Sequence, residues 1–358
     1  MKKKCRAIST LMGAAVLVSA PAQQIAAVAE ETAQTESFDR IANVQGEFSY
    51  NQNVMTPPDE VFSLFGTAAT GICATPSFAL GNADTQNIYV NIRGTMKKAA
   101  TISLDVLKEQ GGTSTVMACS CGMSGAIANT KVTGVLLEDV IGLQDLIGEV
   151  NTVTVRDESG YGLSMPLSYA LEKQAMLVWR VGDTELTGEN GGPVQLWVPD
   201  TVAKYFTRQV AEIELSAEAE VPEIEAGQEE YRTKVSLMNR MAEGQVFSVG
   251  DQITFEGYAD DIGQAIAAVE FSMDNGETGT SCATDDVTSK MWVYWYFGFT
   301  AEQPGTFKLD VRARTADGRV SPLASSVAFT VESFDSLIET SDRREAIKEK
   351  AVRERSEP

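Results

Sequence analysis

The sequence predicts two domains, a mixed α+β domain followed by an all-β sandwich. Between residues 61 and 215, strand-like and short helical runs alternate without a strict βαβ rhythm, which favours an α+β domain. Residues 216–243 are acidic and carry Pro222 and Gly227, a composition typical of a linker. From residue 244 to 334, short alternating runs are separated by turn signals, which is typical of a small β-sandwich.

The predicted elements of the first domain are short and closely spaced. Apolar or alternating runs predict strands at residues 88–94, 116–118, 152–156, 175–181 and 210–215. Ser103 is placed as the N-cap of a helix that has Leu104 and Leu107 on one face. Further short helices are predicted at residues 135–141, where apolar residues recur at helical spacing, and at residues 165–171.

The second domain is predicted to contain strands alone. Alternating runs predict strands at residues 252–257, 267–273, 291–299, 306–315 and 325–331. Asp-Asn-Gly at 274–276 and Ala-Asp-Gly at 316–318 are turn signals between these runs. Outside the two domains, the polar segment 30–60 is predicted to be a leader, and the charged tail 335–358 a solvated end.

The composition excludes several classes of function. The chain of 358 residues has 29 Lys and Arg against 50 Asp and Glu, so its formal net charge is −21. A surface this acidic repels phosphate backbones and anionic lipids, so nucleic acid is not expected as a partner. The sequence contains no His, which excludes Ser-His-Asp and Cys-His catalysis and haem held by a His ligand. Motifs for haem attachment, flavin or NAD are also absent.

The N-terminus has the pattern of a Sec-type signal peptide over residues 1–29. A basic start, Lys2 to Arg6, precedes an apolar run from Ala7 to Ala20, and Ala-x-Ala sites end at Ala22 and Ala29. The run is too short for a transmembrane helix of about 20 residues. We therefore expect an exported protein, extracellular or in the cell envelope, that has no stable membrane anchor after cleavage.

Cleavage of the signal would leave four of the five cysteines, Cys73, Cys119, Cys121 and Cys282. An even number in an oxidising compartment is compatible with disulfides. Cys119 and Cys121 end an apolar strand and are followed by small residues, where a bulky ligand could approach the backbone. Two interpretations stay open. One is a structural disulfide beside a buried thiol, and the other is a thiolate bound to a transition metal, for which sulfur is a tight ligand.

Several segments, in this order along the chain, resemble the sulfite-oxidase-like family of molybdopterin-dependent oxidoreductases. In the first domain they are Val132-Thr-Gly-Val-Leu-Leu-Glu-Asp139, Gly160-Tyr-Gly162 with Met165-Pro-Leu-Ser-Tyr-Ala-Leu171, and Gly191-Gly-Pro-Val-Gln-Leu-Trp-Val-Pro199. In the second domain they are Phe255-Glu-Gly-Tyr-Ala-Asp260, Val269-Glu-Phe-Ser-Met-Asp-Asn-Gly-Glu277 and Trp292-Val-Tyr-Trp295. The resemblance covers roughly residues 85–332. It implies a molybdopterin-binding domain of sulfite-oxidase type followed by an immunoglobulin-like sandwich of the kind that dimerises these enzymes.

The resemblance also implies a molybdenum-molybdopterin cofactor and a set of site residues. Cys119 aligns with the cysteine whose thiolate is both the metal ligand and the catalytic residue. The residues expected to bind the rest of the cofactor are Ser120, Cys121, Gly122, Lys204 and Arg208. The implied reaction is oxygen-atom transfer to or from a small-molecule substrate. An external electron carrier is expected as a partner, and the sandwich implies a homodimer.

The sequence departs from the family at four points. The Arg-Asn-His segment that family members commonly carry ahead of the cysteine has no counterpart here. Asn190 stands where the family commonly has His before Gly-Gly-Pro, and Gln195 stands at its Arg position. The signal lacks the twin arginines of proteins that are exported already folded around a cofactor. An alternative therefore stays open, a cofactor-free exported binding or assembly protein that keeps the fold and has Cys119 or Cys121 in a disulfide with Cys73 or Cys282.

Overall fold

The structure is a computed structural model that describes residues 3–4, 6–8, 46–65, 89–238, 245–274 and 276–333. Cys73, the charged tail 335–358 and most of the predicted signal peptide lie outside the described residues. In the part of the chain that is described, no helix is long and apolar enough to cross a membrane.

The described chain is mainly β-structure with four short α-helices. The strands before residue 217 are β1 (Lys3–Lys4), β2 (Arg6–Ile8), β3 (Glu47–Asn51), β4 (Tyr89–Gly94), β5 (Ala100–Ser103), β6 (Thr113–Ser120), β7 (Ile127–Leu136), β8 (Thr152–Asp157), β9 (Gly162–Pro166), β10 (Met176–Val181), β11 (Thr184–Glu185), β12 (Gln195–Trp197) and β13 (Val210–Ser216). Those after it are β14 (Thr233–Leu237), β15 (Gln245–Ser248), β16 (Gln252–Asp261), β17 (Ile266–Ser272), β18 (Gly279–Ala283), β19 (Val293–Thr300), β20 (Gly305–Thr315) and β21 (Ser325–Glu332). The helices are α1 (Pro58–Phe65), α2 (Leu104–Glu109), α3 (Leu137–Gly142) and α4 (Leu167–Glu172), with 3-10 turns at Gly188–Asn190, Ala203–Tyr205 and Glu229–Tyr231.

The first domain is built on two five-stranded sheets that share one core. One sheet has the order β11-β10-β7-β6 with β12 also paired to β10, and the other has the order β5-β4-β13-β8-β9. Side chains alternate along β10, so that Leu177 and Trp179 enter the core between the sheets while Met176 and Val178 enter a second apolar cluster. The second cluster also contains Val61 of α1. The sheet that carries β6 is therefore buried on both faces.

The helices of the first domain confirm one local prediction and correct another. Ser103 Oγ accepts a hydrogen bond from the Val106 backbone N–H at 3.3 Å, which is the expected N-cap of α2. The helix predicted at 135–141 begins only at Leu137, because Val135 and Leu136 still belong to β7 and pair with β10. Tertiary pairing thus extends the strand into a segment whose spacing alone favours a helix.

The second domain is a sandwich of two sheets with an aromatic-rich core. The sheets have the orders β1-β3-β19-β16-β14 and β15-β21-β20-β17-β18-β2. Their facing side chains form one buried cluster that includes Phe271, Trp295 and Phe297, and Phe271 stacks on Phe297 with ring centroids 4.3 Å apart. All five predicted strands are present, and within residues 244–334 the structure adds two strands that the sequence does not predict, β15 and β18.

The boundaries of the sandwich differ from those that the sequence predicts. Residues 30–60 were expected to form a leader, yet β3 pairs with β19 and Phe48 is a core residue that is 1% exposed. Within the expected linker 216–243, β14 pairs with β16 along its whole length. In both strands only alternate residues face the core, so the polar composition of these segments does not reveal that they belong to the sandwich.

Candidate functional site

The Cys-Ser-Cys segment ends strand β6 and is buried. Cys119 and Ser120 pair with Ala128 and Ile127 of β7, and both cysteines are 3% exposed. Beyond the strand, the Cys121 backbone N–H donates to the Ala126 carbonyl at 2.9 Å, which closes a tight turn. The two thiols therefore lie on fixed backbone.

The outer edge of β6 is covered by other parts of the chain. The Ala118 backbone N–H donates to the carbonyl of Lys290, in the second domain, at 2.7 Å, and Ser120 forms a parallel bridge with Val202. These contacts satisfy backbone groups that an edge strand otherwise exposes. The candidate site thus lies where the two domains meet.

Cys119 is surrounded mainly by apolar side chains. It belongs to the second apolar cluster together with Met117, Trp197 and Ala203. Burial raises the pKa of the Cys119 thiol well above its ordinary value, and a negative charge on Cys121 raises it further. Lys234 and Arg208 act against this increase. The net effect of these surroundings favours the neutral form of the Cys119 thiol.

A cavity of about 700 Å³ opens beside Cys121. One wall is the turn that begins with Cys121 and Gly122, and the opposite wall is residues 225–228 of the expected linker, which we call the strap. A Cβ atom on Gly122 would lie 3.1 Å from Gly227 Cα, so the strap approaches closely because neither residue has a side chain. The Gln228 backbone N–H donates to the Gly122 carbonyl at 2.7 Å and fixes this contact.

The six residues predicted for the cofactor site fall into two groups. Cys121, Gly122 and Lys204 line the cavity. The other three, Cys119, Ser120 and Arg208, are not among its lining residues. Cys119 and Ser120 are the last two residues of β6, and Arg208 acts electrostatically on Cys119. Of the Cys-Ser-Cys segment, only Cys121 lines the cavity.

Lys204 is held by an ion pair at the cavity wall. Its Nζ donates to Glu225 of the strap and lies 5.4 Å from the centroid of the Tyr205 ring. The hydroxyl oxygen of Tyr205 accepts the Glu225 backbone N–H at 3.0 Å. Two neighbouring residues therefore hold the backbone and the carboxylate of Glu225. Sequence reasoning singled out Lys204 but not its acidic partner.

A buried polar cluster behind the thiols was missed by sequence reasoning. Lys234 Nζ donates to Ser120 Oγ at 2.6 Å, and Ser120 also hydrogen-bonds the carboxyl group of Asp260. Lys234 is 7% exposed and Asp260 is 2% exposed. The signals in the sequence are weak, a Lys within the alternating run of β14 and the pair Asp260-Asp261 at the end of β16.

Burial shifts both ionisable groups of this cluster toward their neutral forms. It raises the pKa of Asp260 to about 7, while Lys234 acts in the opposite direction and Asp261 adds to the increase. Burial likewise lowers the pKa of Lys234, although the negative charge of Asp260 opposes this. The second domain thus contributes a carboxyl group that titrates near neutral pH beside the thiol segment.

Asn190 and Gln195, two of the positions at which the chain departs from the family that it resembles, belong to a neutral hydrogen-bond network. Gln195 Nε2 donates to the Asn190 carbonyl at 2.9 Å, and its Oε1 accepts from Trp197 Nε1 at 2.8 Å. The side-chain oxygen of Asn190 accepts the Thr187 backbone N–H at 2.6 Å. Both side chains are therefore engaged within the protein.

The disulfides expected for Cys119 or Cys121 are not formed. Neither Cys119 nor Cys121 is in a disulfide, whereas Cys282 is disulfide-bonded. Among the described residues no group of three or more His, Cys, Asp or Glu side chains is placed to hold a metal by itself. A metal at this site would need ligands from a cofactor or solvent in addition to sulfur.

The residues present fit a molybdopterin in donor type and in size. The thiols are the soft donors that a transition metal favours. A volume of about 700 Å³ is within the range of cofactor pockets, which extends from roughly 300 to 1,000 Å³. Lys204 adds a cation at the wall. Cys121, Gly122 and Lys204 would border the group, and the assignment of the metal to Cys119 stays a prediction.

Comparison with known proteins relates this domain to one family and one solved structure. Residues 78–222 match the family model described as the oxidoreductase molybdopterin binding domain. The crystal structure of the sulfane dehydrogenase SoxCD from Paracoccus pantotrophus is similar, with a TM-score of 0.56 and 19% identity over 68% of this chain and 70% of that chain. At this identity the match shows a common fold, and it extends beyond the first domain.

Other solved structures are similar at a much lower level. The fibronectin(III)-like modules of Clostridium thermocellum CbhA match with a TM-score of 0.23 and 14% identity over 62% of this chain and 95% of that chain. CopC from Methylosinus trichosporium OB3b matches with a TM-score of 0.19 and 10% identity over 28% of this chain and 96% of that chain. No curated protein sequence matches the chain.

Proposed function

From the premise that residues 78–222 belong to the sulfite-oxidase-like molybdopterin-binding oxidoreductases, we propose that this chain transfers an oxygen atom to or from a small molecule. The single observation that supports the proposal most is the cavity of about 700 Å³ against Cys121 and Gly122, at the end of the strand that carries both thiols. When bound there, a molybdenum cofactor would supply the two-electron chemistry of oxygen transfer.

The chain's own residues would hold the cofactor and limit access of water to it. Burial of the Cys-Ser-Cys segment keeps water from the thiols. The hydrogen bond between Gln228 and Gly122 keeps the strap over one side of the cavity. Resemblance favours Cys119 as the metal ligand, and the position of Cys121 at the cavity wall makes it the second thiol to test.

Metal analysis after native purification tests the proposal. Near-stoichiometric molybdenum is expected in the wild-type protein. Cys119→Ser should lose the metal and the activity, whereas Cys121→Ser should retain much of both. An equal loss in the two variants would mean that both sulfurs are needed. Retention of metal by Cys119→Ser would contradict the assignment of that residue, and absence of molybdenum from correctly matured wild-type protein would contradict the function.

Export, the electron partner and the dimer complete the proposal. The proposed location is extracellular or in the cell envelope, reached through the N-terminal signal, and electrons would pass to or from an external carrier. The sandwich, which we assign to the immunoglobulin-like class, would form a homodimer. Light scattering of the purified chain tests the dimer, and N-terminal sequencing of the exported protein tests cleavage near Ala22 or Ala29.

A second function, a cofactor-free exported binding or assembly protein, is favoured by a different observation. The side chains of Gln195 and Asn190 are closed into an internal hydrogen-bond network at the two positions where the family commonly has Arg and His. Free thiols together with no molybdenum after maturation would support this function.

A further inference from the structure

Sulfur occupies every second position of the segment Met117-Ala-Cys-Ser-Cys-Gly-Met123. The chain has only 5 Cys and 12 Met among its 358 residues, so four sulfur side chains at alternate positions are not expected by chance. Alternation along β6 places Met117 and Cys119 on one face, where both belong to the second apolar cluster. Beyond the strand, Cys121 and Met123 both line the cavity. The segment therefore brings two soft donors to the cavity wall.

The turn after β6 fixes the first of these two donors and leaves the second adaptable. The Cys121 backbone N–H donates to the Ala126 carbonyl at 2.9 Å, and the Met123 backbone N–H donates to Cys121 Sγ at 3.4 Å. The Met123 side chain is 68% exposed. Because it is unbranched and has three rotatable bonds, its sulfur can turn toward an ion on Cys121 while the backbone stays in place.

The donors at this wall determine the kind of metal that they can bind. The chain contains no His, and among the described residues no group of three or more His, Cys, Asp or Glu side chains is placed to hold a metal. Structural zinc takes four ligands of those types, and calcium and magnesium take oxygen. A thiolate with a thioether is instead a donor set that selects Cu(I). The positive ion and one thiolate form a neutral unit, which suits a wall that includes Val202 and Ala226.

The proposed molybdenum site leaves these two sulfurs unused. The resemblance assigns molybdenum to Cys119, which is not among the lining residues, and Cys121→Ser is expected to retain much of that metal. A single ion at the wall takes a small part of a cavity of about 700 Å³. The two sites therefore use different sulfur atoms and do not exclude each other.

We propose that Cys121 Sγ and Met123 Sδ bind one Cu(I) ion at the wall of the cavity. On binding, the thiol releases its proton to solvent and the thioether stays neutral, so the charge balances without an oxidant or a reductant. The net charge of −21 attracts cations to the protein. The site goes beyond the proposed function and does not depend on it.

Competition with the Cu(I) chelator bicinchoninic acid measures this binding. The full chain is purified, reduced and titrated with Cu(I) in the absence of oxygen. We expect the wild type to bind one Cu(I) per chain, and Cys121→Ser should abolish binding. Met123→Leu keeps the size of an exposed side chain but removes its sulfur, so it should fold normally and weaken binding by about tenfold or more.

Two variants serve as controls and should bind Cu(I) as the wild type does. Met291→Leu replaces another partly exposed methionine, which is not among the residues that line the cavity. Cys119→Ser removes the sulfur that is assigned to molybdenum.

Three results overturn the inference: no binding by the wild type, unchanged affinity in Met123→Leu, or loss of binding in Cys119→Ser. Because the titration needs neither molybdenum nor turnover, its failure is distinct from a failure of the proposed function, which the molybdenum content of natively purified protein reports.

Discussion

Lys234 Nζ lies 2.6 Å from Ser120 Oγ and connects the second domain to the end of the strand that carries both thiols. The contact is buried, and the carboxyl group of Asp260, from the same domain as Lys234, also hydrogen-bonds Ser120. The thiol segment is therefore positioned by both domains, and its integrity depends on groups that are distant in sequence.

Lys234→Met should destabilise the protein by about 3 to 5 kcal/mol, because it leaves Asp260 buried without its cationic neighbour. Ser120→Ala removes only a hydroxyl and should cost about 1 to 2 kcal/mol. Urea unfolding followed by tryptophan fluorescence measures both. The control is Lys131→Met at an exposed position of β7, which should change stability by less than about 0.5 kcal/mol. An effect of Lys234→Met as small as that of the control would show that the cluster does not stabilise the fold.

The pH dependence of the free energy of unfolding should reveal the titration of the Asp260 carboxyl group. Its pKa is about 7 in the folded protein because of burial, against about 4 in an unfolded chain. Between these values the folded state holds a proton that the unfolded state has released, so the contribution of this group to stability falls as pH rises from 4 to 7. Urea unfolding of wild type and Asp260→Asn over this range isolates the effect.

The variant should lack this decline, since its amide does not titrate. The difference in the free energy of unfolding between the two proteins should therefore change by a few kcal/mol between pH 4 and 7. A constant difference between wild type and variant from pH 4 to 8 would show that the carboxyl group titrates as in the unfolded chain.

Local rules predict part of this structure, and long-range contacts account for the rest. The cap at Ser103 depends on residues three positions apart, and the sequence shows it directly. The Lys234 to Ser120 contact spans 114 residues, and neither residue type indicates it. The composition of the segment around Gly227 predicts irregular structure, which is correct for residues 217–228. Composition does not indicate that residues 225–228 form a wall of the cavity.

The same limit applies to the choice between the two thiols. Cys119 and Cys121 lie at the end of β6 and directly after it, and each is 3% exposed. Neither their position in the sequence nor their accessibility therefore shows which of them binds a metal. Their surroundings differ, because Cys119 packs in an apolar cluster while Cys121 lines the cavity. A resemblance identifies an aligned position, whereas contact with the cavity depends on how the turn after β6 folds.

Alkylation should therefore distinguish the two thiols. We expect N-ethylmaleimide to modify Cys121 first and Cys119 at least about tenfold more slowly, because burial raises the pKa of Cys119 and the thiolate is the reactive form. Mass spectrometry over time gives both rates. Cys121→Ser should abolish the fast reaction and Cys119→Ser should retain it, while urea should make the rates in the wild type similar. Equal rates in native protein would contradict the orientation of the turn.

Gly122→Ala tests whether the strap closes one side of the cavity. The added Cβ would lie 2.6 Å from Val202 Cγ1 and 3.1 Å from Gly227 Cα, so one of these walls must move. We expect a loss of about 1 to 3 kcal/mol in stability and faster alkylation of Cys121. Gly125→Ala is the matched control in the same turn, because a Cβ there has no atom within 4 Å.

The two measurements separate two ways of relieving the clash. If the strap moves, the Gln228 to Gly122 hydrogen bond is lost and Cys121 becomes more reactive. If Val202 moves instead, its bridge with Ser120 is disturbed, so stability falls while alkylation of Cys121 stays at the wild-type rate. A variant as stable as Gly125→Ala and alkylated at the wild-type rate would mean that Gly227 does not pack on Gly122.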